Sequence, residues 1–150
     1  MELILWRHAE AEDGLNDLAR ELTLKGRKQA AKMAAWLNAR LPEDCRILSS
    51  PAARTLQTAR ALNRKVETDP SLAPGASVQA LLNAAGWPGE EGKWVLIVGH
   101  QPDLGEAAAS LLGAEVVLSI KKAGVWWFSS RARPHGNEIA LRAVIAPDLL

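Results

Sequence analysis

Apolar positions along the chain fall into two kinds of run, and the two kinds alternate. Glu2 to Trp6 is short, unbroken and rich in branched side chains, as suits a strand buried on both faces. Thr23 then offers an N-cap to a segment in which Ala30, Met33, Ala34, Leu37 and Leu41 recur at helical spacing, and Pro42 marks its exit. Arg46-Ile47-Leu48-Ser49 reads as a second strand. After it Ser50 can cap, and Pro51 can open, a helix through about Leu62. A weak third strand lies near Val66 to Thr68, Ser77 caps a helix running to Ala85, and the turn-rich "GWPGEEGK" leads to the strongest strand signal, "WVLIVGH". Pro102 opens a helix through Leu112. The last third turns β-like, with "VVLSI", "GVWWFSS" and "EIALRAVIA", the last two joined by the tight "RARPHGN" as an antiparallel pair. Strands alternating with helices predict a three-layer α/β/α sandwich whose sheet is mostly parallel with one or two antiparallel strands.

Composition narrows this picture. A chain of 150 residues suits a single domain over residues 1–150. With 18 Lys and Arg against 17 Asp and Glu, the bulk charge favours neither nucleic acid nor a membrane as partner. Cys45 is alone, so no internal disulfide forms, and the start "MELILW" is too short and too acidic for a signal segment. The expected location is the cytoplasm. Six Trp and no Tyr are unusual, but Trp36, Trp87, Trp94, Trp126 and Trp127 lie in elements that read as structural.

The chemistry collects at strand ends. The first strand stops on Arg7-His8; the second on Ser49-Ser50-Pro51, with Arg54 in the following helical turn; the "WVLIVGH" strand on Gly99-His100. Ligands of open parallel sheets bind beyond the carboxyl ends of the strands, so two guanidiniums and two imidazoles are delivered to one edge. Together with a helix N-terminus they make an anion site, and planar guanidinium forks suit phosphoryl oxygens better than a carboxylate. Other assignments fail on missing partners. "HAE" resembles the start of a zinc deaminase signature, but no Pro-Cys-x-x-Cys follows it. His135, the third His, sits in a polar turn too remote for a three-His metal site, and no Gly-Lys-Ser phosphate loop is present.

Four blocks carry a resemblance to a known family. "LWRHAEAE" resembles the Arg-His-Gly signature of the histidine phosphatase (phosphoglycerate mutase-like) superfamily, with Ala9 where glycine is usual. "LTLKGRKQA" is similar to its Leu-Thr-x-x-Gly-x-x-Gln-Ala, "SSPAARTLQTA" to its Ser-Pro-x-x-Arg-x-x-Gln-Thr-Ala, and "VGHQP" to its second histidine motif. The short length and "LAPGAS" look most like the phosphohistidine phosphatase group SixA. The resemblance implies that His8 is a nucleophile forming a phosphohistidine, that Arg7, Arg54 and His100 bind the phosphoryl oxygens with Ser50 beside them, and that neither metal nor cofactor takes part.

One departure bears on the substrate. Many family members that cleave alkyl phosphate esters carry a glutamate between the third strand and the next helix as proton donor, whereas "TDPSLAPGASVQALLNAAGWPG" contains no Glu, and its Asp69 reads as a turn residue before Pro70. Alkoxide leaves poorly without protonation, while a P–N bond breaks more easily. The expected substrate is therefore phosphohistidine in a protein such as a histidine phosphotransfer domain. The alternatives are a small phosphorylated metabolite as substrate, or a module that binds phosphoryl groups without cleaving them. Candidate proton donors are Asp103, otherwise a helix-terminal residue, and Glu10, Glu12 or Asp13, otherwise a solvated acidic loop. Lys121 and Lys122 read as a solvated turn that could attract an acidic protein.

Overall fold

The computed structural model describes residues 1–150 and contains one six-stranded sheet. In chain order the elements are β1 (Glu2–Arg7), α1 (Leu24–Asn38), β2 (Arg46–Ser49), α2 (Ala53–Arg60), β3 (Glu67–Thr68), α3 (Val78–Ala85), β4 (Trp94–Gly99), α4 (Asp103–Leu111), β5 (Val125–Arg133) and β6 (Gly136–Ile145). The order across the sheet is β3-β2-β4-β1-β5-β6, with β3, β2, β4 and β1 parallel and β5 antiparallel to both its neighbours. This is the mostly parallel α/β/α arrangement expected from the alternation of runs.

Unbroken apolar runs are needed because both faces of the central strands are covered. Ile4, Trp6, Ile47, Leu96 and Val98 point to one side, where Met33 and Leu37 of α1 and Ala59 of α2 meet them. Leu3, Leu5, Leu48, Val95 and Ile97 point to the other, against Leu81 of α3 and Leu104 and Ala108 of α4. Trp127 packs between Trp36 and Trp94, with ring centroids 6.3 and 5.4 Å away, so these indoles serve the core. Cys45 is buried, and burial raises its thiol pKa to about 11.

Three local expectations are corrected. "VVLSI" is not a strand: residues 116–120 cross the edge as an irregular segment, because β5 already takes the free edge of β1 and both sides of β4 are paired. The Gln101 side chain holds this segment, donating from Nε2 to Leu118 O at 2.7 Å. α2 begins at Ala53 rather than Pro51, because Ser50 N–H still donates into the sheet, to Val98 O, and the chain turns only afterwards. Pro102 precedes α4 as its N-cap rather than forming its first turn.

Candidate active site

Parallel register brings three strand ends to one level. Arg7 lies opposite Gly99 in the β1–β4 ladder, His8 N–H donates to Gly99 O at 3.1 Å, and Ser50 N–H to Val98 O at 3.1 Å. Arg7, His8, Arg54 and His100 consequently line one cleft of about 630 Å³, with Gly75, Ala76 and Asp103 on its opposite side.

His8 is held by a frame that the sequence blocks build piece by piece. Its Nδ1 donates to Ala9 O at 2.7 Å, which leaves Nε2 without its proton when the ring is neutral. Ala9 N–H donates to Thr58 Oγ1, and Thr58 Oγ1–H donates to Arg54 O, so α2 ties the His8 loop to the helix that carries Arg54. α1 grips the next residue: Glu10 O accepts from Thr23 N–H and Glu10 N–H donates to Gln29 Oε1. Gly26 is required there, since a Cβ on it would lie 2.0 Å from Glu10 O. Ala9 itself is fully buried in the core beneath α1 and α2 and has no positive φ, so alanine fits where the family pattern has glycine.

The electrostatics favour neutral imidazoles facing fixed cations. Burial is the largest effect on His8 and lowers its pKa to about 4; the Ala9 carbonyl opposes this, while Arg54 and Arg7 add to it. His100, with its ring centroid 5.4 Å from that of His8, is lowered to about 3, again by burial first and Arg54 second. His100 Nε2 lies 2.8 Å from Ser50 Oγ. Ser50 Oγ also accepts from Ala52 N–H, so its hydroxyl proton is free to satisfy Nε2 and place the His100 proton on Nδ1. Three buried nitrogens have no protein partner: His100 Nδ1, Arg7 Nε and Arg54 Nε. Orphaned donors cost roughly 1–3 kcal/mol each, and one oxyanion among them would satisfy them together.

Other anticipated residues lie elsewhere. Ser50 stands behind His100 and does not line the cleft. Glu10 turns away, its carboxylate accepting from Thr23 Oγ1 at 2.8 Å, and Glu12 does not line the cleft; of the candidate proton donors Asp103 and Asp13 do. Asp103 is buried, and its Oδ2 accepts from Gly75 N–H at 2.9 Å and Ala76 N–H at 3.2 Å. Desolvation raises its pKa, against the pull of those two amides. Asp69 caps the turn before Leu72 by accepting from Ser71 N–H, as its neighbour Pro70 suggested. His135 is in the β5–β6 turn. No three of the His, Cys, Asp and Glu side chains come together as a metal-binding group.

Sequence reasoning missed Asp17 and Arg20. Asp17 holds Arg54 twice, through its backbone carbonyl at 2.7 Å and its carboxylate at 3.2 Å; Arg20 lines the cleft and pairs with the same carboxylate at 3.0 Å. Both lie in or beside a short 3-10 turn with no periodicity to mark it. Only the separation of an acid and a base by three residues could have suggested their pairing.

Comparisons with known proteins bear on the family and the fold. The family model of the histidine phosphatase superfamily (branch 1) matches residues 3–76. The phosphohistidine phosphatase SixA homolog of Haemophilus influenzae is 33% identical over 140 residues, covering 83% of this chain and 85% of that protein. Among solved structures, the protein histidine phosphatase SixA complexed with tungstate superposes with a TM-score of 0.79 at 24% identity over 99% of both chains. The phosphoserine phosphatase of Entamoeba histolytica complexed with 3-phosphoglyceric acid gives 0.73 at 21% identity over 95% of both chains. The last two likenesses concern the fold.

Proposed function

Since the chain belongs to the histidine phosphatase superfamily, we propose that it removes phosphate from phosphohistidine in a protein, through a covalent intermediate on His8. The observation that carries this reading is that Arg7, Arg54 and His100, each with a buried nitrogen that has no protein partner, line the same cleft as His8. Neutral His8 Nε2 attacks phosphorus while the P–N bond to the substrate imidazole breaks, and the leaving imidazole nitrogen takes a proton from solvent water. Water then attacks the phosphohistidine formed on His8, releasing phosphate and restoring the neutral ring. Arg7 and Arg54 bind the phosphoryl oxygens, and His100 donates to one from Nδ1, stabilising the charge that builds up during both displacements. Ser50 acts through His100 by fixing its tautomer.

The cleft wall opposite His8 supports the P–N substrate. Pro74, Gly75, Ala76 and Ser77 contribute no carboxylate to it, in the segment where the family resemblance puts the glutamate of ester-cleaving members, and the acid beside them, Asp103, is engaged by the Gly75 and Ala76 amides. The H. influenzae relative, a SixA homolog, is consistent with that substrate class. A second reading, hydrolysis of a small phosphate ester, is favoured by Asp103, a buried carboxyl of raised pKa at the cleft edge that could protonate an alkoxide.

The test is turnover of a phosphorylated histidine phosphotransfer domain against a panel of sugar phosphates, with His8→Ala as the blank. Labelled phosphate trapped on the protein as an acid-labile adduct, and absent from His8→Ala, is the expected result. A binding module without catalysis would bind phosphate and give neither adduct nor turnover. Asp103→Asn keeps an acceptor for Gly75 and Ala76. It should leave phosphohistidine turnover within a few-fold of wild type, and a hundredfold loss would transfer the assignment to acid-assisted chemistry.

A further inference from the structure

Beside the phosphoryl cleft lies a second depression, of about 590 Å³, that the reaction above does not use. Arg7 and Lys122 line both, so the two are continuous. One wall is α1, where Lys25, Lys28 and Lys32 follow one another at i, i+3 and i+7 on a single face roughly 10 Å long. The other carries Lys121 and Lys122, the turn pair whose charge could attract an acidic protein. Six cations share the groove with one carboxylate, Asp148, whose sole ion pair is with Lys121 at 3.7 Å. Lys25, Lys28, Lys32 and Lys122 make no ion pair at all.

A second observation comes from α1 alone. Its first turn holds Lys25 and Arg27 but no acid, the reverse of what the helix dipole favours at that end, and its last turn is uncharged. Of these two first-turn bases Lys25 faces the groove, where it stands against the helix dipole. A chain of net charge +1 has no bulk excess to account for this.

We propose that this groove docks an acidic face of the phosphorylated protein, adjoining the phosphohistidine that enters the cleft; the proposal rests on the phosphatase reading above. The side chains themselves identify the occupant. A tight second-phosphate site would be built from ordered guanidinium forks, whereas exposed, hydrated, flexible ammonium groups suit an array of solvated carboxylates and long-range steering.

Two synthetic phosphohistidine peptides test it, one carrying glutamates on one helical face and the other glutamines at the same positions, with p-nitrophenyl phosphate as the small substrate. At low ionic strength the wild type should show kcat/KM about tenfold higher for the glutamate peptide, through KM, and the preference should collapse at about 0.5 M salt. Lys25→Gln, Lys28→Gln and Lys32→Gln combined should abolish the preference and leave turnover of p-nitrophenyl phosphate at the wild-type level. Equal kcat/KM for the two peptides, a preference indifferent to salt, or one surviving in the triple variant overturns the docking groove. The salt series on wild type decides the matter even if the triple variant does not fold. Selective loss of turnover of a small bisphosphate in that variant, with both peptides unaffected, would also overturn the proposal. Absence of turnover on every substrate would instead refute the phosphatase reading itself.

Discussion

Protonation of His8 is the perturbation that most directly probes the cleft. The ring is buried and faces Arg54 and Arg7, and its pKa falls from an ordinary 6.5 to about 4. Between those values the unfolded chain binds a proton that the folded chain refuses. The stability derived from a neutral His8 is therefore complete above pH 6.5, declines as pH falls, and is gone near pH 4. Each pH unit carries about 1.4 kcal/mol, so the full span is worth about 3 kcal/mol. His100, lowered to about 3, continues the same trend to lower pH. The assay is urea unfolding at neutral pH and at about pH 4.5, comparing wild type with His8→Asn. Wild type should lose about 2.5 kcal/mol more than the variant over that interval. Imidazole resonances give the direct reading: His8 should titrate near 4 in the free protein and move upward when phosphate dianion supplies the missing counter-charge. A free-protein titration near 6.5 would refute both the burial argument and a neutral nucleophile sustained by the fold.

Three substitutions probe the supporting frame. Arg54→Lys keeps the charge but loses the fork that Asp17 orients, and should lower kcat/KM about 10²- to 10³-fold on every substrate, as steady-state kinetics would register. Thr58→Val strands the buried Ala9 N–H; denaturant unfolding should show a loss of about 1–3 kcal/mol, and kcat should fall because the His8 loop loosens. Gly26→Ala forces a methyl against Glu10 O and should cost about 1–3 kcal/mol by overpacking, with α1 displaced and activity reduced; an unchanged melting temperature would contradict the close approach.

Much was legible in the chain because period and punctuation are local properties. The continuous run Leu3 to Trp6, the Thr23 and Ser77 caps and the alternation of strands with helices each predicted their element. Strand ends then pointed to Arg7, His8, Arg54 and His100, since a parallel sheet must bring those ends to one edge. Local rules failed where neighbours decide. "VVLSI" has the pattern of a strand, but both sides of the adjacent β1 and β4 are already paired, and Ser50-Pro51 has the look of a helix start while Ser50 is still bound into the sheet.

The order of residues thus determined which side chains would meet, because hydrophobic period fixes which segments are buried, and topology follows from covering both faces of a parallel sheet. Only the tertiary structure decided how they meet. The Nδ1 bond that frees His8 Nε2, the turn of Glu10 toward Thr23, the grip of Asp17 on Arg54 and the alignment of Lys25, Lys28 and Lys32 beside Lys122 depend on distances between segments far apart in the chain. Burial, and with it the low pKa of His8, is likewise a property of the assembled fold, since desolvation exists only once other residues have displaced the water.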